Sequence, residues 1–244
     1  MSLTSNAPIR DGRTPEDRER DFLPGMGKPW LLPLYDVFSR AAGVRRLHER
    51  AAALADVGTG ESVLDVGCGT GNLAFAILRA TPDAHVTGLD PDPAALRRAA
   101  RKAGRRGVRL DLVQGFADQL PAEDSSLDHV VSSLALHHVD DAGREGFARE
   151  ALRVLRPGGG VTILDFGGPG PDGESVHHAD AHSHGIGLMR RLRHRMMHNA
   201  HVARNLDEGL VVLLRRAGFA EVREVEHLEH RMGEVTVVRA TRAE

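Results

Sequence analysis

The chain has 244 residues, of which 32 are basic and 34 acidic, so its formal charge is only −2. This balance argues against nucleic-acid recruitment by net charge, and no apolar run reaches the ~18 residues of a membrane-spanning helix. A single cysteine, Cys68, excludes a disulfide within the chain and argues against a thiolate zinc site, so we expect a reducing, cytoplasmic location.

The first part of the chain divides into a leader and a helical segment. Residues 1–30 carry proline, glycine and charge without periodicity, and we expect a flexible leader there. Apolar residues recur at helical spacing from Leu31 to Leu54, which predicts one or two helices before the first strand. Residues 31–244 are expected to form one domain.

Strands and helices alternate in the next hundred residues. The predicted strands are Ser62–Val66, Ala84–Leu89, Val108–Gln114, Leu127–Ser133 and Val161–Phe166. The predicted helices between them are Gly71–Ala80, Asp92–Ala103 and Asp141–Leu155. Such alternation indicates an α/β fold with a parallel, doubly wound sheet, in which ligands bind beyond the carboxyl ends of the strands.

The alternation breaks after the fifth strand. Residues 167–205 form a long insertion rich in glycine, histidine and arginine, for which we expect the role of a substrate lid. A helix is predicted over 206–217, and two strands over 219–228 and 234–241 are joined by a short connection. This terminal hairpin places one antiparallel strand in the sheet.

A glycine-rich loop follows the first strand, in the run Val-Leu-Asp-Val-Gly-Cys-Gly-Thr-Gly. Gly67, Gly69 and Gly71 permit a sharp turn and the close approach of a ligand. The dinucleotide pattern G-x-G-x-x-G requires glycine where Asn72 stands, which argues against an NAD-dependent oxidoreductase. A nucleoside cofactor without phosphate, S-adenosylmethionine, is predicted instead.

Several ordered motifs resemble those of class I S-adenosylmethionine-dependent methyltransferases, in particular the ubiquinone and menaquinone biosynthesis type. The motifs are Leu34–Asp36, Val63–Gly71, Gly88–Asp90, Ala117–Pro121, Asp128–His138, Leu155–Gly159 and Ala217–Phe219. The resemblance implies a Rossmann-like, seven-stranded sheet of order 3-2-1-4-5-7-6 with strand seven antiparallel. It also implies that Tyr35, Pro91, Ser133 and Leu134 contact the cofactor.

Two acids at strand ends are candidate cofactor ligands. Asp90 can accept both ribose hydroxyls. Its alternative role would be the N-cap of the next helix, but Asp92 already serves there. Asp65 either takes the methionine ammonium through water or satisfies loop amides, and the sequence leaves both roles open. Cys68 is expected to be a small residue of the turn.

The adenine segment departs from the family pattern. Phe116 stands where the family usually carries an acid or amide that bonds the adenine amino group, and its ring can stack but cannot accept. Either Asp118 replaces that group, or the Ala117 amide and apolar packing hold the adenine.

His137 and His138 follow the fourth strand, which the resemblance places beside the transferable methyl group. Either imidazole could deprotonate an acceptor, although packing under the sheet edge is the alternative for each. Methyl transfer needs little more than in-line positioning, so the lack of an obvious acid–base pair does not argue against an enzyme.

The insertion carries seven histidines between His177 and His201. They could bind a metal, but no acid or thiol stands at regular ligand spacing, and we expect none. The basic stretch 186–203 is interpreted as a lid helix, with contact to an anionic membrane surface as the alternative.

The predicted function is methyl transfer from S-adenosylmethionine to a small, apolar acceptor, for which a lipid-like molecule is one candidate. The alternative from another class is a catalytically silent scaffold or sensor that binds the cofactor. Phe116 is the residue that favours this alternative. A nucleic-acid methylase is disfavoured, because Ser132-Ser133-Leu134 stands where such enzymes carry Asn/Asp-Pro-Pro-aromatic.

Overall fold

The computed structural model describes residues 9–22, 43–167, 209–230 and 233–244. The strands in chain order are β1 (Arg10–Asp11), β2 (Ser62–Val66), β3 (His85–Asp90), β4 (Asp111–Gln114), β5 (Leu127–Ser133), β6 (Leu155–Phe166), β7 (Ala220–His230) and β8 (Gly233–Thr241). The α-helices are α1 (Val44–Ala55), α2 (Asn72–Ala80), α3 (Pro93–Arg106), α4 (Asp141–Val154) and α5 (Gly209–Ala217).

All of these strands join one sheet in the order β1-β4-β3-β2-β5-β6-β8-β7. β1 to β6 pair in parallel, whereas β8 is antiparallel to both β6 and β7. The predicted order of the seven strands and the antiparallel seventh are therefore confirmed.

The predicted count of seven strands is corrected to eight. Arg10 and Asp11 lie in the segment predicted as a flexible leader, and they pair with Val113 and Gln114 at the outer edge of β4. Both side chains are exposed. A strand that uses only backbone groups leaves no apolar alternation in the sequence, which is why its pattern could not be recognised.

Helices cover both faces of the sheet, as a doubly wound fold requires. In β2, Val63 belongs to a core with α1, α2 and α3, while the next residue, Leu64, belongs to a core with α4 and α5. The alternation follows from the strand geometry, which points successive side chains to opposite faces. The central strands therefore bring their carboxyl ends together between two packed helical layers.

β6 begins six residues earlier than the predicted Val161, because a glycine-rich stretch joins it. Gly158 donates its backbone N–H to the carbonyl of Arg242, and Arg242 donates its own to the carbonyl of Gly159. The run Pro-Gly-Gly-Gly typically indicates a turn, but here the backbone of the C-terminal residues supplies its hydrogen-bond partners.

Several predictions fall on residues outside the described ranges. They concern Tyr35, the lid role of 167–205 and the histidine-rich and basic stretches within it. Among the described residues, no helix is long and apolar enough to cross a membrane, and no cluster of three or more metal-ligating side chains is found. The domain boundaries and the lid stay predictions.

Candidate active site

A cavity of about 400 Å³ opens at the carboxyl ends of the central parallel strands. This is the edge at which open α/β sheets bind their ligands. Its lining includes most of the residues predicted to contact the cofactor, namely Gly67, Cys68, Gly69, Asp90, Pro91, Phe116, Ala117, Asp118, Ser133 and Leu134.

The glycine loop is fixed to the end of β3. The N–H groups of Gly67 and Cys68 both donate to the carbonyl of Leu89, at 2.8 and 3.0 Å. Gly67 has a φ of +72°, and a Cβ added there would lie 2.3 Å from the Cβ of Ala135. Gly69, at φ +51°, would meet nothing within 4 Å. Gly67 thus permits packing of the loop, whereas Gly69 keeps an open face beside the cavity.

Gly71 does not line the cavity, in contrast to the close approach predicted for it. It is the N-cap of α2 with a φ of +80°, and a Cβ there would lie 2.9 Å from Cε2 of Phe75. Its requirement for glycine is therefore explained by helix packing and backbone conformation.

Asp90 connects the glycine loop to the start of α3. Its Oδ2 accepts the N–H of Gly69 at 2.8 Å, and its Oδ1 accepts the N–H of Asp92 at 2.9 Å. Burial raises the pKa of Asp90 to about 6, against the lowering effect of these two amides. Asp92 is the N-cap of α3, with its side chain bonded to the N–H of Ala94, as predicted. A carboxylate has about four acceptor positions, so Asp90 retains capacity for a ligand.

Asp65 lies beneath the loop and does not line the cavity. The carboxyl is 1% exposed, and its Oδ2 accepts the N–H of Ala74 in α2 at 3.1 Å. Burial raises the pKa of Asp65 to about 7. Of the two roles that the sequence left open, the contacts favour the one in which Asp65 satisfies a helix amide.

His48 of α1 lines the cavity and was not singled out in the sequence. Burial, together with the charge of Lys102, lowers the pKa of His48 to about 4, so the ring is neutral at pH 7. Lys102 in turn donates to Thr70 Oγ1 and Asn72 Oδ1 at 3.1 and 2.6 Å. The helical spacing of His48 from Val44 and Ala51 could have indicated its buried face, although not the cavity beside it.

Asp65 and His48 are expected to affect the pH dependence of stability in opposite directions. Between about pH 4 and 7 the folded protein binds a proton at Asp65 that the unfolded chain releases, so this group destabilises the fold as the pH rises. Between about pH 4 and 6.5 the unfolded chain protonates His48 and the folded protein does not, so stability falls as the pH falls.

We therefore expect the free energy of unfolding of Asp65→Asn to rise more steeply with pH than that of the wild type between pH 4 and 6.5. The free energy of unfolding of His48→Gln should rise less steeply with pH than that of the wild type. Urea titrations of both variants across this range, with the exposed His85→Gln as control, test the prediction. Profiles of both variants parallel to that of the wild type would contradict it.

Ser133 ends β5 at the cavity wall, and Leu134 follows it directly. Among the described residues, Ser133 Oγ is buried without a hydrogen-bond partner. Leu134 has a φ of +53°, and its N–H donates to the carbonyl of Leu164 at 2.8 Å. An orphan buried hydroxyl and a strained residue on one cavity wall are typical of a ligand site.

The two histidines after β5 have different surroundings. His137 is buried outside the cavity lining, and its Nδ1 lies 2.7 Å from Oδ1 of Asp165. Burial acts to raise the pKa of Asp165, but the His137 ring and the backbone N–H groups of Phe166 and His137 together hold that pKa below its ordinary value. His138 lines the cavity, and its ring centroid is 4.0 Å from that of His137. Only His138 of the pair is therefore placed to meet a ligand directly.

The fold and this cavity define a Rossmann-like α/β domain with a nucleoside-type site. Residues 63–159 match a family model described as the methyltransferase domain. The motif-based resemblance to class I S-adenosylmethionine-dependent methyltransferases is thereby confirmed.

Curated relatives support the same class. The chain is 37% identical over 123 residues to 27-O-demethylrifamycin SV methyltransferase of Amycolatopsis mediterranei, a match that covers 50% of this chain and 44% of the relative. It is 34% identical over 142 residues to demethylmenaquinone methyltransferase of Deinococcus radiodurans, a match that covers 57% of this chain and 58% of the relative. The chain thus spans about half the length of these relatives.

Solved structures share the fold at lower identity. A Bacillus halodurans protein aligns with a TM-score of 0.62 at 19% identity, over 81% of this chain and 99% of its own. A Haemonchus contortus phosphoethanolamine N-methyltransferase, solved with S-adenosylhomocysteine, aligns with a TM-score of 0.57 at 17% identity, over 77% of this chain and 50% of its own. The [4+2]-cyclase SpnF aligns with a TM-score of 0.61 at 22% identity, over 82% of this chain and 80% of its own. The fold therefore occurs with more than one chemistry.

The residues of the site fit S-adenosylmethionine, the cofactor of this family. The cavity volume lies in the range of small-molecule sites. Asp90 provides a carboxylate for ribose, Gly69 an open backbone face, and Ser133 an unpartnered hydroxyl. No phosphate-binding glycine pattern competes with this assignment.

Proposed function

We propose that the protein transfers a methyl group from S-adenosylmethionine to a small, apolar acceptor. The observation that carries the proposal is the position of Asp90, whose carboxylate lines the cavity while it fixes the open face of Gly69. An acid in this place suits the two ribose hydroxyls of a nucleoside, and the glycine spacing, with Asn72 in place of the third glycine, argues against a pyrophosphate.

The chain's own residues would orient the cofactor and exclude water. Asp90 would hold the ribose, the Gly67–Gly69 backbone the amino-acid end, and Phe116 to Asp118 the purine. When bound, S-adenosylmethionine supplies a methyl group that is already activated by its sulfonium. Positioning of the acceptor can then provide most of the rate.

The acceptor is proposed to be apolar because hydrophobic side chains line the cavity next to His138. Leu134, Leu136 and Val139 are among the residues that line it. The curated relatives named above are, by name, methyltransferases of demethylmenaquinone and of 27-O-demethylrifamycin SV, which supports an acceptor other than a macromolecule. A cytoplasmic location and peripheral contact with a membrane stay predictions.

His138 is proposed as the group that takes a proton from the acceptor, with His137 and Asp165 as its support. His138→Ala is expected to lower kcat by about 10²–10⁴-fold, typical of a lost general base, with little change in S-adenosylhomocysteine affinity. His137→Ala should instead destabilise the fold by about 1–3 kcal/mol, because the buried Asp165 loses its side-chain partner and keeps only the backbone N–H groups of positions 137 and 166.

The measurements are methyl-transfer rates across pH, calorimetric affinities and urea unfolding for both variants. Loss of rate without loss of stability in His137→Ala, together with full activity in His138→Ala, would reverse the assignment.

A silent cofactor-binding protein is the second candidate, favoured by Phe116 at the adenine end of the site. Calorimetric titration with S-adenosylmethionine, S-adenosylhomocysteine and NAD tests the cofactor, and transfer of a labelled methyl group to a panel of quinols and phenols tests catalysis. Binding of both sulfur nucleosides with turnover supports the enzyme. Binding without turnover on any acceptor supports the silent protein, and binding of neither contradicts both.

A further inference from the structure

The leader segment 9–22 is built onto the adenine-side edge of the sheet. β1 pairs with β4, and Gly12 continues the pairing by donating its N–H to the carbonyl of Gln114 at 2.9 Å. A Cβ on Gly12 would lie 2.8 Å from Cγ1 of Val113, so the backbone approaches β4 closely there. The segment is thus held by the sheet before it reaches the cavity.

A capped turn then directs the chain toward the cavity. Thr14 and Asp17 bond each other reciprocally: Thr14 N and Oγ1 donate to Asp17 Oδ2 at 3.0 and 2.8 Å, and Asp17 N donates to Thr14 Oγ1 at 3.2 Å. This is the hydrogen-bond pattern of a capping box, and it starts the 3₁₀ turn Glu16–Arg18. Asp21 and Phe22, which follow the turn, line the cavity.

Arg20 contacts both residues at the adenine end that the sequence left undecided. Its Nη1 donates to Oδ2 of Asp118 at 2.6 Å, and its Cζ lies 4.4 Å from the centre of the Phe116 ring. The Arg20 and Asp118 side chains are only 34% and 29% exposed, so solvent screens their attraction in part. One guanidinium therefore fixes an aromatic ring and a carboxylate together.

We propose that residues 20–22, which follow the capped turn, form the adenine-side wall of the cofactor site, with Arg20 as its positioning residue. Arg20 holds the Phe116 ring in place and occupies one oxygen of Asp118. This inference rests on the proposed function, because it concerns recognition of the purine of the same cofactor.

The contacts of Asp118 indicate how the purine is recognised. Among the described residues, the carboxylate makes one side-chain hydrogen bond, through Oδ2. Its Oδ1 remains an acceptor at the cavity wall, suited to the amino group of adenine. Arg20 thus turns Asp118 into a directed acceptor, which compensates for the acid that Phe116 replaces.

The test compares S-adenosylhomocysteine with its S-inosyl analogue, in which an oxo group replaces the adenine amino group. Calorimetric titration of the wild type should favour the adenosyl compound. Arg20→Ala and Asp118→Ala should each weaken its binding by about tenfold, typical of a hydrogen bond to a charged group, and should each reduce the preference over the analogue. The double variant should be no weaker than either single one, because both changes remove the same contact.

Two further variants separate this role from general folding effects. Arg20→Lys keeps the charge without the planar contact and should recover part of the affinity. Arg18→Ala removes an arginine of the same turn whose side chain is 58% exposed and outside the cavity, and it should bind like the wild type. Circular dichroism of each variant checks the fold, and Asp118→Ala keeps the test intact should Arg20→Ala unfold.

The inference is overturned on its own if the wild type binds S-adenosylhomocysteine and Arg20→Ala retains both its affinity and its preference. It is overturned together with the proposed function if the wild type binds neither compound.

Discussion

Asp90→Ala is expected to weaken the binding of S-adenosylhomocysteine by about 100-fold or more. Each hydrogen bond from a ribose hydroxyl to a carboxylate contributes roughly 1.5–3 kcal/mol, and about 1.4 kcal/mol corresponds to a factor of ten. The same change removes the acceptor that fixes Gly69, so the open face of the loop loses its support as well. Isothermal titration calorimetry measures the affinity, and urea unfolding separates it from stability.

Two controls make this result specific. Asp90→Asn keeps the shape and one oxygen of the side chain but not its charge. Its affinity for S-adenosylhomocysteine should lie between those of the wild type and Asp90→Ala. Asp111→Ala removes an acid at the start of the neighbouring β4, outside the cavity and paired with Arg109. Unchanged affinity in Asp90→Ala, or an equal loss in Asp111→Ala, would contradict the assignment of the ribose site.

Gly67→Ala and Gly69→Ala are expected to separate stability from binding. A Cβ at position 67 would collide with that of Ala135, so we expect a loss of about 2–4 kcal/mol from overpacking and left-handed strain together. A Cβ at position 69 meets no protein atom, so the loss should be only the ~1–2 kcal/mol of the backbone strain. This added Cβ would stand on the open face beside the cavity, however, and should prevent close approach of the cofactor.

The control for Gly67→Ala is a second substitution, Ala135→Gly, which removes the opposing Cβ. The double variant should recover the overpacking part of the lost stability and retain the strain. Thermal or urea unfolding measures the stability of the single and double variants, and calorimetry measures their cofactor affinity. No recovery in the double variant, or full cofactor affinity in Gly69→Ala, would show that the two glycines do not have these roles.

Much of the fold was predictable because its signals are local. The alternation of strands with helices indicated a parallel, doubly wound sheet, and the resemblance to class I methyltransferases implied the order of its seven strands. The Asp92 N-cap was recognisable from Asp92-Pro93 alone. Such features depend on backbone conformation and on neighbours within a few residues, which a sequence displays directly.

The remainder depends on contacts between distant parts of the chain. Arg20 and Asp118 are 98 positions apart, and His137 and Asp165 are 28 apart. No local pattern indicates such a pair. The roles of Gly67, Gly69 and Gly71 also look alike in sequence, and only the atoms opposite each missing Cβ distinguish them. The local motif therefore indicates where the site lies, whereas tertiary contacts determine the role of each residue in it.

The strand order has a consequence for synthesis on the ribosome. β8 lies between β6 and β7, although it is made after both, and among the described residues β7 pairs with no other strand. β6 ends at Phe166 and β8 at Thr241, 75 residues later, which corresponds to roughly 4–15 s of translation. During that interval the outer edge of β6 presents unpaired backbone groups to other nascent chains. We therefore expect stalled or truncated products that lack β8 to aggregate, even though the glycine loop and Asp90 are already present in them.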